Sequence, residues 1–141
     1  MKKIFYSIVA LLTGSGVILG ASTVINSNRT VLDSVVTTEV TTTTLETIQL
    51  SPGTSTTHIT MNVVANASTS TLGGGWFCIA DFKVTNTSTV TQVGSFFCNS
   101  SASAGLGVSV STGTQAVLLK INGLTSSTIN WQSFTDVYTV K

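Results

Sequence analysis

Few side chains in this 141-residue chain could carry catalytic chemistry. Nucleophilic catalysis needs a Ser or Cys activated by a base that a third group orients, and His58 is the chain's single imidazole. In the alternating pattern around it, His58 shares the polar face of a predicted strand with Thr60 and Asn62. The pattern therefore favours an exposed histidine over a catalytic base.

Few acidic side chains are available for carboxylate catalysis either. Glycoside hydrolysis uses two carboxyl groups about 5 to 9 Å apart, and three of the five acidic residues fall in or near the N-terminal segment. Asp81 and Asp136 remain, each alternating with polar neighbours as a solvated strand position does. The glycines at 73–75 precede a predicted strand rather than a helix, so they form no phosphate cradle. We predict neither an enzyme nor a cofactor, and an enzyme dependent on Asp81 or Asp136 is the alternative.

The two cysteines fit a structural role. If 76–84 and 90–98 form a hairpin about Ser88, Cys78 and Cys98 stand directly opposite one another. A secreted chain with two cysteines normally oxidises them, and closing this loop contributes about 3 kcal/mol. With one histidine and two distant thiols, a metal site is incomplete. We predict a Cys78–Cys98 disulfide and no metal.

Four aromatic residues leave two interpretations open. Trp76, Trp131, Phe134 and Tyr138 could form a sugar-stacking platform of the kind found in β-sandwich carbohydrate-binding modules. Trp76, however, shares a predicted strand face with Cys78, and a tryptophan beside a disulfide is common in sandwich cores. The core interpretation is favoured.

The N-terminus has the pattern of a secretory signal. Residues 1–21 contain Lys2 and Lys3, an apolar run of about 16 residues, and small residues suited to cleavage. A membrane-spanning helix needs about 20 apolar residues, more than this run contains. We therefore predict that the signal is removed, that no stable membrane span remains after processing, and that the protein is secreted. The remaining chain has four basic and five acidic side chains. Because its Lys and Arg residues are not clustered, it lacks the basic patch that binding to nucleic acid or an anionic membrane requires.

The chain is rich in hydroxyl-bearing side chains and poor in charged ones. Ser and Thr make up about a third of the residues, and four of the eight Asn residues lie in Asn-x-Ser/Thr sequons. Placed near predicted strand ends behind a signal, these sequons predict covalent N-glycans where the source has the machinery. The candidate glycosylation sites are Asn28, Asn66, Asn86 and Asn99.

Period-two alternation recurs along the chain and helical periodicity does not. Short predicted strands are separated by turn clusters such as 51–53, 73–75 and 122–123. The pattern predicts an all-β fold: a single antiparallel β-sandwich over residues 45–141.

A Thr-rich segment precedes this domain. Residues 22–44 are predicted to form an extended N-terminal arm, with a hinge near 45–53, where the first turn occurs. Such a strand could be donated to a neighbouring subunit, where its main chain would extend a sheet and its side chains fill a groove. The alternative is that the arm supplies the first two strands of its own sandwich, with a bend at 41–44. The predicted donor-strand interface consists of Val31, Val36, Val40 and Leu45.

This layout of signal, arm, cysteine pair and sequons resembles the secreted archaeal thread filaments, and less closely the archaeal bundling pili. The resemblance covers nearly the whole chain and implies an extended strand donated head to tail, one immunoglobulin-like sandwich, and N-glycans on exposed Asn. It implies a homopolymeric extracellular filament for adhesion, cell contact or biofilm, with the chain itself as partner. A monomeric secreted adhesin or carbohydrate-binding module is the alternative.

Overall fold

The structure is a computed structural model that describes residues 29–141, with gaps at Thr69, Asn86 and Thr87 and backbone alone for residues 29–32. The predicted signal at 1–21 and the sequons at Asn28 and Asn86 lie outside the described residues, as does the side chain of Val31. No helix long and apolar enough to cross a membrane occurs in the described part of the chain.

The described residues form eight β-strands in two antiparallel sheets, which confirms the predicted all-β sandwich. The larger sheet has the order β1-β8-β3-β4-β5, and the smaller has the order β2-β7-β6. Strands β1 to β8 span, in turn, Arg29–Thr37, Thr42–Gln49, Ser55–Ala67, Gly73–Thr85, Thr89–Ala102, Gly107–Gly113, Ala116–Asn122 and Ile129–Val140.

The core lies between the sheets and is built by alternation. In β3, Ile59, Met61 and Val63 point inward and are buried, while the residues between them face outward. β4 repeats the pattern from Trp76 to Val84, and β7 and β8 supply further buried positions. Because successive strand residues point to opposite faces, the period-two pattern selects the buried face of each strand.

The β4–β5 hairpin brings the cysteines together. Cys78 pairs with Cys98 in the ladder, in the predicted register, and a disulfide joins them. The register then shifts between Ile79 and Asp81, near Gly94, whose φ is 77°. Positive φ values favour glycine, so Gly94 suits a position in a bulged strand. Beyond this shift Thr85 pairs with Thr89. The centre of the hairpin turn is therefore displaced from its predicted position at Ser88.

The N-terminal segment is part of the chain's own sandwich. β1 is an edge strand of the larger sheet, and β2 is an edge strand of the smaller one. The chain crosses between the sheets at residues 38–41, before the predicted hinge, so the predicted boundary at 44/45 falls inside β2. This is the arrangement of the alternative in which the arm supplies two strands, with its bend slightly earlier than 41–44.

Candidate functional site

The first candidate site is the edge formed by β1. Among the described residues, β1 pairs with β8 alone, over a ladder of nine residues from Arg29↔Val137 to Thr37↔Ile129. Its opposite side is an open sheet edge, and such edges are templates for pairing with another chain. The edge is therefore a place where a strand can be added or exchanged.

The C-terminal end of β1 is anchored by side chains. Val35 is partly buried against the core, and the buried Thr37 hydroxyl accepts a hydrogen bond of 2.9 Å from the indole Nε1 of Trp131. Gly123 packs against the same residue, since a Cβ there would overlap the Thr37 side chain. The anchoring described for β1 is thus concentrated at the end nearest the bend.

The bend after β1, at residues 38–41, is exposed throughout. It borders an open cavity of about 500 Å³ that is also lined by Thr125 and Ser126. Because this crossing is not packed into the core, its backbone can change direction without emptying an apolar site.

The predicted donor-strand residues occupy three different environments. Val36 is 57% exposed on the outer face of the larger sheet, and Val40 is 61% exposed in the bend. Leu45 is only 2% exposed and belongs to the chain's own core. For Val31 the backbone alone is described, where it pairs with Thr135. A donated strand that included Leu45 would empty a filled core position, whereas one that ended at the bend would withdraw, of the side chains described in β1, only the partly buried Val35 and the buried Thr37.

A buried carboxylate that the sequence analysis did not identify links the two sheets. A β-bulge between Thr44 and Glu46 turns both Leu45 and Glu46 inward. Across the core, the Glu46 Oε2 atom accepts hydrogen bonds from the hydroxyls of Ser133, at 3.0 Å, and Thr135, at 2.7 Å. β8, the strand that receives β1, is therefore held from inside by β2. The sequence analysis assigned Glu46 to no face, and a bulge leaves no mark in this Thr-rich stretch.

The ionisable residues considered for catalysis lie on the outer face of the larger sheet. His58 Nδ1 and Asp81 Oδ1 are 2.7 Å apart and both side chains are half exposed. Asp136 pairs with Thr60 in the ladder, and β3 separates it from Asp81. Within the described ranges, no group of three His, Cys, Asp or Glu side chains could hold a metal ion. The arrangement is that of a hydrogen-bonded surface pair.

The four aromatic residues considered as a sugar platform are divided between two faces. Trp76 and Trp131 are buried in the core with ring centroids 5.4 Å apart. Phe134 and Tyr138 lie on the opposite, outer face of β8. They cannot form one platform, because the sheet itself separates the two pairs.

A second candidate site crosses that outer face. A cavity of about 360 Å³ lies over Gly75, between Val64 and Phe77, and is bordered by polar side chains that include Asn62 and Asn99. A neighbouring cavity of about 320 Å³ shares Val64. Its other lining residues are Ser34, Ala65, Asn66, Asn130, Trp131 and Gln132. We call the two cavities together the transverse groove.

Two of the predicted glycosylation sites border this groove. Asn66 and Asn99 are both exposed on the outer face, and Asn99 stands directly opposite Phe77 in the β4–β5 ladder. Their accessibility is compatible with modification.

Comparisons with known proteins identify no family for the chain. No protein-family model matches it, and no curated protein matches it. Two solved structures are similar to it at low TM-score. They are the tailspike protein of Acinetobacter phage vB_ApiP_P1, at 12% identity over 81% of this chain with a TM-score of 0.39, and that of Acinetobacter baumannii phage AM24, at 11% over 77% with a TM-score of 0.38. The chain spans 22% and 26%, respectively, of those chains.

Proposed function

We propose that the chain is the structural subunit of a secreted extracellular filament in which β1 of one subunit pairs with β8 of the next. The observation that carries the proposal is the position of β1. It is the first described strand, and it lies at a sheet edge. An exposed bend at residues 38–41 connects it to the rest of the fold. A filament of this kind would serve adhesion, cell contact or biofilm formation.

Exchange of β1 would reproduce the contacts of the single chain. If the bend straightened, β1 would reach a neighbour and form there the ladder that it forms on its own β8. The Thr37 hydroxyl would accept the same hydrogen bond from the neighbour's indole group. Because donor and acceptor surfaces are different patches, such contacts are heterologous and extend into a fibre when they do not close a ring. The difference in free energy between the monomer, with β1 on its own β8, and the strand-exchanged form therefore arises mainly in the bend.

The donated segment is best limited to β1. β2 contributes Leu45, Glu46 and Ile48 to the core of its own subunit, and withdrawing it would uncover the interior. β1 instead lies at the periphery, where strand addition gives main-chain hydrogen bonds with little loss of core. The predicted arm of residues 22–44 is thereby shortened at its C-terminal end.

A pair of engineered cysteines tests the exchange. Ser34 and Gln132 are exposed partners in the β1–β8 ladder, and opposed antiparallel residues lie within disulfide reach. The double variant Ser34→Cys with Gln132→Cys is assembled, oxidised and separated by denaturing electrophoresis without reductant. Strand exchange predicts a ladder of covalent oligomers.

Mixed single variants supply the matched control. Subunits with Ser34→Cys alone should form a covalent dimer with subunits carrying Gln132→Cys. Thr38→Cys, which lies in the bend outside the ladder, should not form this dimer efficiently. Filaments whose disulfides are all intramolecular would overturn the proposal. So would filaments formed by a variant that lacks residues 29–41.

The alternative is a monomeric secreted adhesin or carbohydrate-binding module, which the transverse groove favours. Light scattering separates the two. A uniform monomer at every concentration and after prolonged incubation supports the alternative, whereas growth into fibres supports strand exchange.

A further inference from the structure

The transverse groove runs along a row of cross-strand neighbours on the outer face of the larger sheet. In the ladders, Gln132 stands opposite Val64, Val64 opposite Gly75, and Gly75 opposite Ser101. The row crosses four strands, which at the spacing of a sheet is about 14 Å. Gly75 keeps the floor low because it has no side chain. The result is an elongated depression rather than a closed pocket.

One wall of the groove carries an aromatic ring. Phe77 lies two residues from Gly75 on the same outward face of β4 and is 44% exposed. Phe97, at 60%, and Phe134, at 46%, are similarly exposed, but neither of them lines the groove. An aromatic ring presented at the edge of a groove offers a flat apolar face for a ligand.

Apart from Phe77 and Val64, the outward-facing side chains that line the groove are polar and uncharged. Asn62 and Asn99 flank Phe77, and Asn66, Asn130 and Gln132 border the neighbouring cavity. Neither cavity is lined by Asp, Glu, Lys, Arg or His. Side-chain amides both donate and accept hydrogen bonds, so this lining matches a ligand rich in hydroxyl groups and without charge.

We propose that the transverse groove binds a neutral oligosaccharide. Phe77 stacks against the apolar face of one sugar ring, and the amides on either side hydrogen-bond to its hydroxyl groups. Val64, which lines both cavities, separates that sugar from the next one along the groove. This site goes beyond filament assembly, because the groove lies on the outer face of the sheet, where Ser34 alone among the described β1 side chains contributes to its lining.

The proposed ligand is a free saccharide, and its binding requires an Asn99 that carries no glycan. Since Asn99 lies in the groove, a glycan attached there would occupy the same space. The binding experiment therefore uses secreted protein from a host without N-linked glycosylation. Isothermal titration calorimetry is performed with maltohexaose, cellohexaose, mannohexaose and chitohexaose, and with hexagalacturonate as the acidic comparison.

Three substitutions locate the site. Phe77→Ala removes the stacking face and should weaken binding about tenfold or more, the equivalent of about 1.4 kcal/mol. Gly75→Val should abolish binding by filling the floor. The first carbon of the new side chain has room, because a Cβ at Gly75 comes no closer than 3.9 Å to Ser101 Oγ, and β-branched residues suit a strand. Phe134→Ala removes another exposed phenylalanine of the same face that lines neither cavity, and should leave the affinity unchanged.

Binding of at least one neutral probe that Phe77→Ala weakens and Phe134→Ala does not would support the proposal. Absence of binding to every neutral probe at millimolar concentration would overturn it. Equal binding of the acidic probe, or loss of binding through Phe134→Ala with Phe77→Ala unaffected, would also overturn it. Circular dichroism melting of each variant excludes loss of fold as the cause of a negative result.

Discussion

The indole N–H of Trp131 donates a hydrogen bond to the hydroxyl of Thr37 across 2.9 Å, and both side chains are buried. The bond joins the last residue of edge strand β1 to the strand that carries it. Because the indole nitrogen is a donor without acceptor capacity, Thr37 supplies what this buried N–H requires. The pair therefore secures the end of β1 from which the exposed bend begins.

Replacing Thr37 with Val should destabilise the fold by about 1 to 3 kcal/mol, because the shape is kept while the Trp131 N–H loses its acceptor. Urea unfolding followed by tryptophan fluorescence measures the loss. Thr38→Val, one residue further along and exposed, is the control and should change stability by less than about 0.5 kcal/mol. Equal effects at the two positions would show that the hydrogen bond contributes nothing particular.

Gly123→Ala should loosen the same end of β1. The added Cβ would overlap the Thr37 side chain and lie 2.8 Å from the backbone oxygen of Glu39, so β1 must shift. Overpacking of this kind costs about 1 to 3 kcal/mol. Faster hydrogen exchange confined to β1 and the bend is the expected signature.

Gly113→Ala is the matched control for that substitution. A Cβ at Gly113 meets its nearest neighbours at 3.9 Å, which is ordinary contact. We expect unchanged or slightly higher stability, since alanine loses less chain entropy than glycine on folding. A melting temperature lowered equally by both substitutions would contradict the close approach of Gly123 to β1.

The link between Glu46 and Thr135 should appear as an interaction energy in a double-mutant cycle. Thr135→Val removes a hydroxyl that donates to the Glu46 carboxylate at 2.7 Å, and Glu46→Ala removes the acceptor. Because the two residues are in direct contact, their effects on unfolding should be non-additive by about 1 to 3 kcal/mol. Glu39→Ala, at an exposed position, should be additive with Thr135→Val. Additivity in both cycles would mean that the sheets are not coupled through Glu46.

Removing the disulfide should lower stability by about 3 kcal/mol, since the bond closes a loop with a sequence separation of 20 residues. The measurement compares the urea midpoint of the oxidised protein with that of the Cys78→Ala, Cys98→Ala double variant. Because Cys78 is fully buried, its replacement also leaves a small cavity, which adds to the loss. An unchanged midpoint would indicate that the unfolded chain is already constrained there.

Much of the sheet could be predicted from local pattern. The alternation from Trp76 to Val84 identified the buried face of β4, and the spacing of Cys78 and Cys98 identified their register, because both depend only on period two and on a short hairpin. The bulge between Ile79 and Asp81 was not anticipated. A bulge changes the pairing of two strands, and the strand partner is not encoded in the alternation of either one.

The sequence by itself determined the all-β class, the buried faces of β3 and β4 and the cysteine pairing, since these follow from side-chain periodicity and covalent proximity. Only the tertiary structure decided that β1 lies on β8, that Glu46 faces the hydroxyls of Ser133 and Thr135, and that Gly75 and Phe77 shape one groove. Each of these depends on strands far apart in the chain. Backbone hydrogen bonds, which join such strands, are nearly the same for every residue type, so their partners leave little trace in the sequence.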